Sequence, residues 1–226
     1  MFTIQRKEEH GNINHGWLNT YHHFSFANFF DPNKMGFGSL RVLNDDYIKG
    51  ERGFDMHSHK DMEIITYVID GVLTHRDSLH NERSVNRGQV QYMSAGSGIM
   101  HSEHNNAEET LRLLQIWILP ASTGGIPNYG DYLFEPDERK DKWLHFVGKD
   151  KIKLNQDVNF YVIETTKPYE FDIELGRQIY LVNIEGDTLI NDQILKQGDS
   201  LMASSMKLEF TPEGSSHVLL IEMKGE

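Results

Sequence analysis

Short runs of β-branched and aromatic residues, each stopped by a turn signal, set the outline of this chain. Residues 62–69 read Met-Glu-Ile-Ile-Thr-Tyr-Val-Ile and end at Asp70-Gly71, a turn pair. Residues 90–93 follow Arg87-Gly88, and the apolar stretch 111–119 is stopped by Pro120. Downstream, residues 160–165, 178–184, 200–203, 207–211 and 218–223 repeat the pattern. No segment sustains helical periodicity. Many short strands between regular turns predict an all-β chain built as a sandwich or closed barrel.

The stretch from Gly124 to Lys142 reads as a connector, with Gly124-Gly125, Pro127, Gly130 and Pro136 ahead of a charged cluster. A boundary there predicts two domains, 1–136 and 137–226, each of ordinary domain size. The halves echo one another. Val68-Ile69-Asp70-Gly71 is matched by Asn183-Ile184-Glu185-Gly186, and each is followed by a further turn glycine, Gly88 or Gly198. A duplicated β-barrel is the expectation.

Composition narrows the chemistry. There is no cysteine, so disulfides, thiolate catalysis and zinc fingers are excluded. The formal net charge of −12 disfavours direct nucleic-acid binding, which needs a cationic face. No apolar run approaches the roughly 18 residues of a membrane span. The first residues turn charged before a signal-like stretch can form, so a cytoplasmic location is expected.

The histidines carry the functional signal. All but His145 and His217 lie at or before His104. Within that half, His57-Ser58-His59 and His101-Ser102-Glu103 share one spacing. Residues i and i+2 point the same way on a strand, so each pair can offer two ligands to one point. Two such strands would deliver three imidazoles and one carboxylate, a set suited to a divalent transition metal. Gly53, Gly96 and Gly98 allow tight backbone entry. Glu63, four residues beyond His59, shares that parity if the strand is unbroken. It could replace Glu103 as fourth ligand or orient a histidine. Of His22 and His23, neighbours on a strand, at most one faces inward. His104 should face away from the site, and His75, His80, His145 and His217 are expected to be surface or structural. Leu113, Ile116, Trp117 and Ile118 are expected to be core, while Phe37, Phe54 and Met56 are candidate pocket walls.

Gly53-Phe54-Asp55-Met56-His57-Ser58-His59, with Glu63 and Gly71, and then Gly98-Ile99-Met100-His101, resemble the two cupin motifs. More narrowly the chain resembles the pirin family. Asn14-His15-Gly16-Trp17, His22-His23-Phe24-Ser25-Phe26-Ala27-Asn28 with Asp31-Pro32, Met35-Gly36-Phe37-Gly38 with residues 40–46, His75-Arg76-Asp77-Ser78 and Met93-Ser94-Ala95-Gly96-Ser97-Gly98 all match that family. The second half matches by length and β character alone. The resemblance implies a bicupin fold with metal in the N-terminal barrel, held by His57, His59, His101 and Glu103, which favours Glu103 over Glu63 as ligand. It implies iron(II), with manganese, nickel, copper, cobalt and zinc as alternatives. Bacterial members of this kind are associated with quercetin 2,3-dioxygenase activity. That implies a flavonol-like aromatic substrate, dioxygen as co-substrate, and Glu103 or Glu63 as general base. Animal pirin is known as a nuclear iron protein that modulates transcription factors, so a regulatory role through a protein partner is the rival expectation.

The second barrel is expected to be metal-free. The offsets of the histidine pairs from Gly71 and Gly88, transferred to Gly186 and Gly198, land on Asp172, Glu174, Thr211 and Glu213. With only His145 and His217 in that half, a three-histidine site cannot form there.

Overall fold

The β-rich segments form strands throughout the computed structural model, which describes residues 1–148 and 151–225. In chain order these are β1 (Phe2–Gln5), β2 (Gly11–Asn14), β3 (Leu18–His22), β4 (Leu40–Ile48), β5 (Arg52–His59), β6 (Glu63–Asp70), β7 (Val72–Asp77), β8 (Glu82–Asn86), β9 (Val90–Ser94), β10 (Ile99–Asn105), β11 (Leu111–Ile118) and β12 (Asn128–Tyr132). A helical turn, α1 (Pro136–Arg139), leads to β13 (Leu144–Val147), β14 (Val158–Thr165), β15 (Tyr169–Asp172), β16 (Arg177–Ile190), β17 (Gln193–Leu195), β18 (Ser200–Ser204) and β19 (Lys207–Lys224). Among the described residues no helix is long and apolar enough to cross a membrane.

The chain divides into two units, Gly11–Glu135 and a second that joins Met1–His10 to Pro136–Glu226. The first ten residues thus belong to the C-terminal unit. β1 pairs antiparallel with β18, from Phe2 opposite Ala203 to Gln5 opposite Ser200. Arg6 and the Lys7 amide then bind the two carboxylate oxygens of Asp199 at 2.7 and 2.9 Å. Phe2 and Ile4 pack against the C-terminal core. A four-residue strand whose partner lies some 200 residues away leaves no local signal of that partner.

In the Gly11–Glu135 unit a seven-stranded sheet, β12-β9-β6-β11-β4-β3-β2, accompanies a four-stranded one, β5-β10-β7-β8. Leu18, Ile48, Val68, Leu111 and Leu113 from the first sheet share a core with Leu73 and Val85 from the second, so the sheets close face to face. In the C-terminal unit the order β1-β18-β16-β19-β14 repeats β12-β9-β6-β11-β4. The pairings β15–β19 and β16–β17 repeat those of β5–β10 and β7–β8. The duplication suggested by the glycine echoes is therefore present as strand order. Gly71 (φ 83°) carries the chain from β6 in the large sheet to β7 in the small one, while Gly186 (φ 76°) kinks β16 at the equivalent point, inside the register shift between Glu185 and Asp187. At Gly186 a Cβ would collide with the Ser215 carbonyl, so the position requires glycine on two counts.

Candidate metal centre

β5 and β10 run antiparallel with His57 opposite His101 and His59 opposite Ile99. Strand alternation puts all three histidines on one face, as the i, i+2 spacing predicts. Their ring centroids lie 4.4 Å (His57–His101), 4.8 Å (His57–His59) and 4.8 Å (His59–His101) apart. One ring nitrogen from each falls within 4.8 Å of the others, close enough for one ion to reach all three. A register shift between His101 and Glu103 sets Glu103 opposite Phe54.

The Glu103 carboxylate sits inside the barrel, only 2% exposed, in a cradle of three side chains. Oε1 accepts from Thr66 Oγ1 (3.1 Å) and Gln91 Nε2 (2.8 Å), and Oε2 accepts from Gln115 Nε2 (2.6 Å). Thr66, Gln91 and Gln115 sit side by side on β6, β9 and β11, so one row of the large sheet supplies every donor. Glu103 falls in a second convergent group with His75 and His101.

The electrostatics suit a cation. Burial, together with the neighbouring imidazoles His101 and His57, lowers the His59 pKa to about 4. Burial and the neighbours His57 and His75 lower that of His101 to about 3. Both rings are therefore neutral near pH 7, with lone pairs available. His57 Nδ1 lies 2.7 Å from the Asp55 carbonyl, and an N–H donated there leaves Nε2 as its donor atom. Both nitrogens of His101 are buried without a partner, which is costly for a ring that meets no ligand. The donor set and this orphaned ring fit a divalent transition ion.

Glu63 stands elsewhere. Asp61 adopts a left-handed backbone (φ 49°) between β5 and β6, so no continuous strand joins His59 to Glu63. Alternation on β6 puts Glu63 on the face opposite Thr66. There its carboxylate accepts from Tyr92 (3.2 Å) and Ser94 (2.7 Å). Burial and the Glu63 charge raise the Tyr92 pKa, which keeps that phenol a donor. Glu63 is in neither of the convergent groups around His101.

The walls are aromatic. Trp117, assigned by pattern to the core, stands edge-on to His59 with centroids 4.8 Å apart, and Phe26 meets Trp117 at 5.2 Å. Phe54 lies 6.4 Å from the His57 ring. Met56 alternates to the other face and is exposed. His22 contacts Phe26, and His22 and His23 are both buried. His104 turns away from the site and lies 3.5 Å from the Asp55 carboxylate. His75, expected at the surface or in a structural role, is fully buried beside the centre. The His75-Arg76-Asp77 spacing repeats the i, i+2 signature of the other two pairs and could have been read the same way.

A polar belt continues across the large sheet from Gln115 to Asn44, Asp46 and Thr20, each buried. Burial raises the Asp46 pKa to about 7 against a Thr20 hydrogen bond, with the Asp45 and Glu103 charges adding to the rise. A carboxyl raised in the folded state stabilises the fold at low pH, and that stability is lost as pH rises from about 4 through about 7. Asp46→Asn should therefore gain on wild type, by roughly 2 kcal/mol between pH 5 and pH 8, in urea unfolding of the metal-free protein. An unchanged difference at the two pH values contradicts that titration.

In the C-terminal unit the strands matching β5 and β10 are β15 and the first part of β19. Tyr169 stacks there on Phe210 (4.4 Å), with Trp143 and Phe171 packed around them. Aromatic rings fill this unit where the other carries histidines. Glu164, His217 and Glu185 do meet across β14, β19 and β16, a grouping that offset counting missed. Arg139 binds Glu164 at 3.0 Å and His217 Nδ1 lies 2.8 Å from Glu185, so each carboxylate already has a basic partner.

Comparison with known proteins places the chain. The Pirin family profile matches residues 3–118. The chain belongs to the pirin family. The profile of the quercetinase C-terminal cupin domain matches residues 147–223, so the pirin fold here is two cupin domains in one chain. A quercetin 2,3-dioxygenase of Escherichia coli K12 is 39% identical over 228 residues, covering 99% of both chains. A pirin-like protein of Caulobacter vibrioides is 52% identical over 143 residues, 62% of each chain. The crystal structure of YhhW from Escherichia coli superposes with a TM-score of 0.94 at 36% identity, covering 100% of this chain and 99% of the other. The nickel(II) complex of this bacterial pirin superposes at a TM-score of 0.93 with 37% identity over the whole of both chains.

Proposed function

We propose that this pirin-family chain is a metal-dependent dioxygenase that oxidatively cleaves a flavonol-like aromatic, with iron(II) as its native ion. The convergence of three imidazoles beside the cradled Glu103 carries the reading, and the names of the dioxygenase relatives support it. His57, His59, His101 and Glu103 would hold the ion, and the nickel complex of the similar pirin supports a divalent site. When bound, the ion supplies a Lewis acid for a substrate hydroxyl and an electron-transfer partner for dioxygen.

The chain's own residues do the rest. Gln91 donates to Oε1 of Glu103 and Gln115 to Oε2, while the one Thr66 hydroxyl hydrogen is shared between Glu103 Oε1 (3.1 Å) and Gln115 Oε1 (3.0 Å). The carboxylate so held keeps a lone pair that would face a bound ion or take the proton of a substrate hydroxyl. Trp117 and Phe26 offer an aromatic wall against which a planar substrate packs and from which water is excluded. Trp117 Nε1 and the Tyr129 hydroxyl are buried donors without partners, suited to oxygen atoms on such a substrate. Glu63, bound by two hydroxyl groups on the other face, is left out of the proton transfer.

The direct test is metal analysis of the native protein, then quercetin turnover with and without oxygen. About one metal equivalent per chain and oxygen uptake matched to flavonol loss are expected. Oxidation-dependent binding of a protein partner without turnover overturns the enzymatic reading. Two further variants separate the carboxylates. Glu103→Gln should weaken metal retention by about 10–100-fold, since an amide oxygen is a poorer donor, while Glu63→Gln should retain metal near the wild-type level. Isothermal titration of both with Ni²⁺ decides it, and the reverse order refutes the assignment.

A further inference from the structure

A metal-binding imidazole gives one nitrogen to the ion, and its other N–H needs an acceptor to fix the ring. His57 meets that need with the Asp55 carbonyl. His101 finds nothing comparable, because Nδ1 and Nε2 are both buried and unpartnered, and an ion satisfies only one of them.

The neighbouring strand offers the missing group. Along the β10–β7 pair, Asp77 stands opposite His101 and His75 opposite Glu103. A ring nitrogen of His75 lies within 4.8 Å of one on His101 and of a Glu103 carboxylate oxygen. The His75 ring is clamped, with Tyr129 stacked on it at 4.4 Å and 15° and with Nε2 3.1 Å from Asp77 Oδ2. Asp77 Oδ2 also accepts from the Asn81 amide (2.8 Å), and Oδ1 accepts from the backbone N–H groups of Leu79 (2.8 Å) and Asn81 (3.1 Å). A carboxylate surrounded by donors acts as an acceptor, so the hydrogen of the His75–Asp77 contact sits on Nε2. His75 Nδ1 then keeps its lone pair, and this atom too is buried without a partner.

We propose that His75 Nδ1 accepts the N–H of His101 that the ion leaves over, so that Asp77, His75 and His101 form a buried chain orienting the third imidazole of the metal centre. His75 is a positioning residue, and Asp77 fixes its tautomer. The inference rests on the ligand assignment above.

Two measurements test it. Ni²⁺ is titrated into metal-free wild type, His75→Phe and His75→Gln. Phenylalanine keeps the stacking on Tyr129 but offers no acceptor, and its affinity should fall about 10–100-fold. Glutamine presents an amide oxygen and should bind within a few-fold of wild type. A His75→Phe protein that binds like wild type, or a His75→Gln protein as weak as His75→Phe, overturns the proposal. The second measurement is the imidazole ¹⁵N spectrum of the metal-free wild type. A bare Nδ1 and a protonated Nε2 on His75 are expected, and a proton on Nδ1 overturns the proposal. If wild type takes up no Ni²⁺, the metal-centre reading fails on its own, and the nitrogen spectrum still decides the tautomer.

Discussion

Alanine at His101 should strip the protein of nearly all its metal while leaving its β structure intact. His101 belongs to both convergent groups of the N-terminal barrel and is wholly buried, so its loss takes a donor from each. Changing a group that merely supports a ligand costs about 10–100-fold in affinity, so removing a ligand should cost on the order of 1000-fold. The fold should tolerate the change better than a core truncation. The cavity left behind is destabilising, but two buried nitrogens that lack partners in the metal-free protein disappear with the ring. His57→Ala should behave similarly, with a milder effect on packing because His57 is only partly buried. Metal content by mass spectrometry and far-ultraviolet circular dichroism read the two effects apart. Full metal in both variants would remove the basis for the site.

What was legible in the sequence is what strand alternation encodes. The spacing of His57 with His59 needs only a local strand, and β5 is one through its whole length. The same holds for His101 with Glu103, since the bulge between them shifts the partner strand without turning Glu103 from the interior. The parity of Glu63 with His59 holds only for a strand continuous across residues 60–62, where the left-handed Asp61 breaks it. The Glu103 cradle is invisible in sequence, because Thr66, Gln91 and Gln115 come from three strands and meet only through sheet register. Trp117 packs against the core cluster of Ile64, Met93, Ala95 and Ile99 as expected, and it also meets the site because it shares a strand face with Gln115. Sequence does not say which face of a doubly buried strand meets the site. In the second barrel, transferred offsets land on Asp172, Glu174, Thr211 and Glu213, whereas the corresponding strands bring Tyr169 and Phe210 together. Segments of different length before Gly186 and Gly71 make such offsets drift, while strand order does not.

Acid should weaken the metal-free fold through the same histidines that make the site. The His101 pKa falls from 6.5 to about 3 on folding and that of His59 to about 4, burial being the main cause for each. For a histidine whose pKa is depressed, the unfolded chain takes the proton first. Stability is therefore complete above about pH 6.5 and is lost as pH falls toward the folded values. For His101 the loss approaches about 5 kcal/mol as an upper figure, a large part of the 5–15 kcal/mol typical of a domain. His59 is less deeply buried and contributes less. His22, lowered to about 4 chiefly by burial, acts in the same direction. Asp46 opposes them over an overlapping range, because its raised pKa favours the fold at low pH. The wild-type curve alone therefore mixes both signs, and other carboxylates add to it. The difference between wild type and His101→Ala isolates the one ring. In urea unfolding of the metal-free proteins, wild type should lose several kcal/mol more than His101→Ala between pH 7 and pH 4. Curves that stay parallel over that range would mean that the buried ring does not titrate in the folded protein as its surroundings require. Saturating Ni²⁺ should flatten the upper part of the wild-type curve, because an ion on the lone pair competes with the proton, and should leave the His101→Ala curve where it was.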